Sequence, residues 1–114
     1  MQVLPIVNTT YEVYKNTIDI LAHADKKWRY GFGASLEKDI LDLLGILIMA
    51  KNAPKTLKGS YLIKASSLQE IILLKFRLCI ECEICNETRV FQIQSKVADI
   101  GRMLGGWIKS IQST

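Results

Sequence analysis

The residues with the most evident chemical capacity are Cys79, Cys82 and Cys85, spaced C-x-x-C-x-x-C. Thiolates at that spacing commonly enter zinc sites as C-x-x-C pairs. Such a site needs a second pair or two histidines, and the single histidine, His23, lies far upstream. An iron–sulfur cluster wants a fourth thiolate three residues further on, where the chain has Arg89. No metal site and no cofactor is therefore expected, and the cysteines read as small buried side chains late in a helix. Their odd count also argues against structural disulfides.

Catalysis needs a convergent set of groups, and candidates are few. Asp39 and Asp42 lie three apart and can share a helix face, while Glu81, Glu83 and Glu87 cluster further on. Di-iron carboxylate bundles use Glu-x-x-His pairs, which are absent. His23 has no Ser or Cys nucleophile suggested near it by the sequence, and Gly31-Phe32-Gly33 lacks the Gly-Lys-Ser/Thr ending of a phosphate-binding loop. The expectation is a protein that is not an enzyme, with no catalytic residues.

Charge is more informative. The formal net charge is +4, and Lys51, Lys55, Lys58, Lys64, Lys75 and Arg77 form a basic segment opposed within it only by Glu70. A basic patch suits a polyanion such as nucleic acid, although the same pattern fits a solvated helix face. Lys26, Lys27 and Arg29 beside Trp28 and Tyr30 could grip nucleic acid by stacking and charge, or Trp28 and Phe32 could plug the end of a bundle.

These residues must be placed by helices. At 114 residues, 49% apolar and with only Pro5 and Pro54, the chain reads as a single domain, 1–114, all-α. No uninterrupted apolar run is long enough to span a membrane and no leader pattern follows Met1, so a soluble, cytoplasmic protein is expected. Helices are predicted at about 4–24, 34–52, 56–84 and 88–112, forming an antiparallel up-down-up-down four-helix bundle.

In the first predicted helix the seam is Leu4, Val7, Tyr11, Tyr14, Ile18 and Leu21, and a loop with hinges at Gly31 and Gly33 follows from Asp25. The second helix carries Leu36, Ile40, Leu43, Leu47 and Ala50, with a further row of Leu41, Leu44 and Ile48 whose breadth points to a central position or a subunit interface. The third is apolar nearly all round, with Lys75 and Arg77 as exceptions that snorkel or line an opening. The fourth has the seam Val90, Ile93, Val97, Ile100, Leu104, Trp107 and Ile111, and retains Gly101, Gly105 and Gly106 despite a cost of about 1 kcal/mol each relative to Ala. Ala98, Gly101 and Gly105 are read as a close-approach face for another helix, of the same or a neighbouring subunit.

The run Gly101-Arg102-Met103-Leu104-Gly105-Gly106-Trp107-Ile108-Lys109-Ser110 resembles the C-terminal motif of the accessory variability determinant family of diversity-generating retroelements. Asp42-Leu43-Leu44, Ala50-Lys51-Asn52-Ala53 and Leu4-Pro5-Ile6-Val7 are similar to the same family. The resemblance implies bundles assembled as a homopentameric barrel. It also implies a non-enzymatic accessory protein that binds RNA and DNA and joins the element's reverse transcriptase in mutagenic retrohoming. Nucleic-acid contacts are then expected from Lys51, Lys55, Lys58, Lys64, Lys75, Arg77, Arg102 and Lys109, and helix-packing or oligomer contacts from Gly101, Gly105, Gly106 and Trp107. A broader relation, the four-helix proteins of ribosomal RNA intervening sequences, shares an Arg-Met-Leu-x-Gly ending but lacks Gly-Gly-Trp. That relation stands second, beside a self-associating bundle without a nucleic-acid partner.

Overall fold

Apolar residues recurring every three or four positions give each long segment one face to bury, and four such segments fold as long helices. In the computed structural model, which describes residues 3–112, these are α1 (Val3–Leu21), α3 (Ala34–Asn52), α4 (Lys55–Glu81) and α5 (Glu87–Gln112). A short α2 (Lys26–Trp28) leads through a π-helical turn (Arg29–Gly33) into α3. No strand occurs among the described residues.

Each long helix packs on two others: α1 on α3 and α5, and α4 on α3 and α5. The result is an elongated four-helix body of 47 × 22 × 19 Å. Polar bridges fix the register. Glu12 meets Lys96 and Asp19 meets Arg89, so residue numbers rise along α1 as they fall along α5. Asp39 meets Lys75 and Lys58 meets the Ala50 carbonyl, so α3 and α4 are opposed in the same way.

The core is filled as the spacing of α3 and α5 predicts: Leu36, Ile40, Leu43, Leu47 and Ala50 face Val90, Ile93, Val97, Ile100, Leu104 and Trp107 within one buried cluster. From α4 come Leu62, Ala65, Ile72, Phe76 and Cys79. Burying one Leu or Ile side chain fully contributes about 1.5–3 kcal/mol, so this cluster dominates the favourable side of folding.

The buried stripe of α1 departs from the predicted seam. Tyr11 and Ile18 are exposed, and Ile6, Thr10, Val13, Thr17 and Ile20 face inward instead. Two threonines enter the core because each hydroxyl donates to the carbonyl four residues back, Thr10 to Ile6 at 2.8 Å and Thr17 to Val13 at 2.6 Å. Buried polar groups satisfied locally carry little desolvation cost. Leu4 lies at a position whose side chain is outside those described.

The predicted loop after Asp25 is also corrected. The backbone is helical from Lys26 to Asn52, and Gly31 and Gly33 are not hinges. Gly33 is buried, and a Cβ there would sit 3.1 Å from the Trp28 carbonyl oxygen, so the glycine permits the close packing of the π turn. Trp28 and Phe32 meet edge to face with ring centroids 6.2 Å apart, half-buried against the core.

Two turns complete the framework. Between α3 and α4, the Pro54 carbonyl accepts N–H bonds from Leu57 and Lys58. After α4 the chain reverses at Glu83, whose φ is 53°, with Ile84 N–H donating to the Cys79 carbonyl and Glu83 N–H to that of Ile80. This is a Schellman ending built on a non-glycine residue. The Asn86 side chain then caps α5 by accepting the Arg89 N–H at 3.0 Å.

Candidate nucleic-acid interface

The turn at Ala53-Pro54 places the last residues of α3 beside the first of α4. Helix α5 runs back along α4, with the Gln69 amide donating to the Val97 carbonyl at 3.0 Å, so its final turns reach the same end of the body. Lys51, Lys55, Lys58 and Lys109 thereby fall at that end, with Lys64 and Arg102 further in. Residues 43–69 and 100–112 contain no Asp or Glu, so no carboxylate is interspersed among the lysines, and Arg102 alone has one beside it, Asp99. Like charges so placed produce a positive potential that reaches about 10 Å at 0.1 M salt.

The eight expected contact residues divide once side chains are seen. Lys51, Lys55, Lys64 and Lys109 are exposed and make no ion pair with any described residue. Lys58 turns inward, its Nζ donating to the carbonyl oxygens of Ala50 and Lys51 at 2.8 and 2.9 Å. It thus closes the C-terminus of α3, where the helix dipole favours a cation. Lys75 is half-buried and donates to Asp39 and Ser35. Arg77 pairs with Glu81 along α4, and Arg102 with Asp99 along α5. Lys75 and Arg77, grouped with the basic segment in the sequence, belong spatially to the other half of the molecule.

The glycines of α5 also separate. A Cβ on Gly101 would lie 2.7 Å from the Gln69 Nε2, so this glycine makes room for a buried amide of α4 within the same chain. Gly105 and Gly106 are exposed with nothing within 4 Å of an added Cβ. The close-approach face therefore reduces, inside the chain, to Gly101. Trp107 is buried in the core.

Helix α4 carries a second apolar face that sequence spacing did not separate from the first. Opposite Leu62, Ala65, Ile72 and Phe76 stand Ile63, Ile71, Leu74 and Leu78, with Ile63 64% and Leu74 62% exposed. Leu41, Ile48 and Met49 of α3 are exposed as well. Beside this row a groove of about 420 Å³ runs between α4 and α5, lined by Glu70, Leu73, Leu74, Arg77 and Gln94. A row of large aliphatic side chains along one helix face is the surface type used for subunit contact.

The opposite end of the body is different in kind. Hydrogen bonds from Lys96 and Arg89 hold the carboxyls of Glu12 and Asp19 below their usual range, and the bond to Asp42 holds the Lys38 ammonium above its own. Cys79 is buried, but Cys82 is exposed and Cys85 lies beyond the helix, so only the first behaves as a core side chain. Cys85 and His23 line one cavity with Ile20, Ile84, Asn86 and Arg89. Among the described residues no three His, Cys, Asp or Glu side chains converge as a metal site. No described helix is long and apolar enough to cross a membrane. Comparison of the chain with protein-family models, with curated proteins and with solved structures gives no match.

Proposed function

We propose that this protein is a non-enzymatic, self-associating adaptor of the accessory variability determinant type. In this reading it works in the cytoplasm, holds RNA or complementary DNA, and presents it to the reverse transcriptase of a diversity-generating retroelement during mutagenic retrohoming. The observation that carries the nucleic-acid part is the half of the bundle where Lys51, Lys55, Lys64 and Lys109 stand exposed without a carboxylate among them. The resemblance of residues 101–110 to the family motif supplies the choice of partner.

Each subunit offers only a few free cations, so useful affinity depends on repetition. An up-down-up-down bundle repeated as a homopentamer brings the acid-free ends of five copies onto one polyanion, and linked weak contacts multiply through effective concentration. The exposed aliphatic row Ile63, Ile71, Leu74 and Leu78 supplies a surface by which copies can associate. Lys109 stays within the proposed surface, Arg102 and Arg77 are exposed but each paired along its own helix, and Lys58 and Lys75 act first as internal partners.

The same aliphatic row favours a second reading, a self-associating bundle with no nucleic-acid partner, the ribosomal intervening-sequence type being its nearest variant. Light scattering coupled to gel filtration, with and without a single-stranded RNA of template-repeat sequence, separates the two. The proposal predicts an oligomer near five subunits that co-elutes with the RNA. An oligomer that leaves the RNA free supports the second reading, and a stable monomer contradicts both.

A further inference from the structure

Two apolar rows with helical spacing stay outside the core, and the register of the bundle shows where they lie. On α1 the row runs through Val7, Tyr11, Tyr14 and Ile18, of which Tyr11 and Ile18 are exposed and the other two half-buried. Successive residues turn by about 100° round a helix. Glu12 and Asp19 reach across to Lys96 and Arg89 of α5, so Tyr11 and Ile18, one step back from each, are turned from α5 toward the α3 side. On α3, Ser35 and Asp39 meet Lys75 of α4. Leu41, Leu44 and Ile48 therefore stand on the other flank of α3, toward α1, with Leu41 and Ile48 exposed. The two rows together make one apolar side of the bundle.

A second apolar side lies across the molecule from it. Arg89 and Lys96 of α5 point to α1, and exposed Phe91 stands on the flank of α5 that carries Gln94, which lines the groove with Leu73 and Leu74 of α4. Ile63, about three turns before Leu74 on the same line of α4, extends this side and is exposed as well. Because α1 packs on α5 and α3 packs on α4, the α1–α3 and α4–α5 sides are opposite each other. The α1–α5 side between them is of another kind, crossed by the Glu12–Lys96 and Asp19–Arg89 ion pairs with Asn16 and Gln92 beside them.

We propose that these two sides are the halves of one repeated contact, in which the α1–α3 side of one copy seats on the α4–α5 side of the next. This rests on the self-association in the proposed function and names the surfaces that meet. A two-fold contact apposes a surface to itself, so it would cover one of the two sides and leave the opposite one in water. A head-to-tail contact covers both with a single kind of interface. A side of the 47 × 22 × 19 Å body offers about 1,000 Å², against the roughly 800 Å² that each partner gives to a stable interface. Each side sets one aromatic ring, Tyr11 or Phe91, among large aliphatic side chains, the composition of an interface centre. The groove of about 420 Å³ beside Leu73 and Leu74 supplies the recess that a projecting Tyr11 or Ile18 requires.

Two variants of the full-length chain test this by light scattering coupled to gel filtration. Ile18→Glu/Leu41→Glu spoils the α1–α3 side and Leu74→Glu/Phe91→Glu the α4–α5 side, and all four positions are exposed, outside the core. Each variant alone is expected to be a monomer, and an equal mixture to form a dimer and nothing larger, since each chain supplies the side the other has lost. A variant that keeps the parent's assembly, a variant that dimerises alone through its intact side, or a mixture that stays monomeric would each overturn the pairing of sides while leaving self-association standing. A monomeric unaltered chain would overturn both. Should either variant lose its helical circular dichroism, Ile18→Cys and Leu74→Cys replace them, in co-expressed Cys82→Ser/Cys85→Ser chains of two tag sizes treated with a bismaleimide. Cross-links are then expected only between an Ile18→Cys chain and a Leu74→Cys chain. Cross-links formed by either variant alone, or none in the mixture, would overturn the pairing.

Discussion

Where α3 turns into α4, lysines project with no carboxylate among them, whereas in the opposite half most cations are engaged: Lys38 with Asp42, Lys75 with Asp39, Arg77 with Glu81 and Arg89 with Asp19. Both ends carry basic side chains, but the carboxylates that pair with them lie in one half, so the field the two ends present differs. Neighbouring opposite charges cancel beyond a few ångströms, while a group of one sign projects into solvent for a Debye length. Whether a cation has a carboxylate beside it, not the number of cations, is what distinguishes a polyanion surface from a solvated or stapled one. Within the free end the same distinction applies to single residues, since Lys58 serves the α3 carboxyl end and its neighbour Lys55 serves nothing internal.

The largest expected effect sets the two ends against each other. Reversing Lys51, Lys55 and Lys109 together to Glu should weaken single-stranded RNA binding on the order of 100-fold at about 0.1 M salt, because three cationic contacts become repulsive. Reversing Lys26, Lys27 and Lys38 in the other half should change it by less than about threefold. Filter binding of both variants checks this, and equal losses would erase the distinction between the ends.

Smaller effects separate structural from free cations. Lys58→Met should lower stability by about 1 kcal/mol through loss of the cap on α3, against less than about 0.5 kcal/mol for Lys55→Met. Urea denaturation distinguishes them. At the opposite end, Glu83→Gly should raise stability by about 1 kcal/mol, since glycine adopts the positive φ without a Cβ clash. A lower urea midpoint for that variant would mean the Glu83 side chain contributes something its backbone conformation conceals.

The smallest effect is in pH. Glu12 and Asp19 have folded-state values below their ordinary ones, so their contribution is present above the ordinary carboxylate range of about 4 and is lost as pH falls through the lowered values. Lys38 behaves oppositely, its contribution being complete below about pH 10.4 and lost as pH rises beyond. Thermal midpoints between pH 7 and 3 should therefore fall slightly, and Glu12→Gln with Asp19→Asn should flatten that fall. The acid-free end has no carboxylate to add to it.

Much of this organisation is legible in the chain. The seams of α3 and α5 are apolar throughout at helical spacing, so Leu36 to Ala50 and Val90 to Trp107 can be assigned inward by counting. The stripe of α1 cannot, because Thr10 and Thr17 look polar and only their i−4 hydrogen bonds make them core residues. The π turn is hidden for a related reason: Gly31 and Gly33 signal a loop locally, and packing of Gly33 on Trp28 and Leu21 overrides the signal. The basic segment is visible as a run, yet its division is not. Pairing of Lys75 with Asp39 is set by the α3–α4 register, and Lys109 joins Lys51 and Lys55 only because α5 returns along α4. Likewise, nothing in the C-x-x-C-x-x-C spacing tells that Cys79 is buried while Cys82 and Cys85 lie past the end of α4, because a non-glycine αL turn at Glu83 leaves no sequence mark.

The most direct measurement is the salt dependence of single-stranded RNA binding by the unaltered chain and by Lys51→Glu/Lys55→Glu/Lys109→Glu. Each neutralised phosphate contributes about −0.7 to the slope of log K against log salt concentration for single strands. The account predicts a steep slope for the unaltered chain and one shallower by about 2 for the variant, corresponding to three lost contacts. Parallel slopes for the two, with the slope lost on changing Lys26, Lys27 and Lys38 instead, would contradict it.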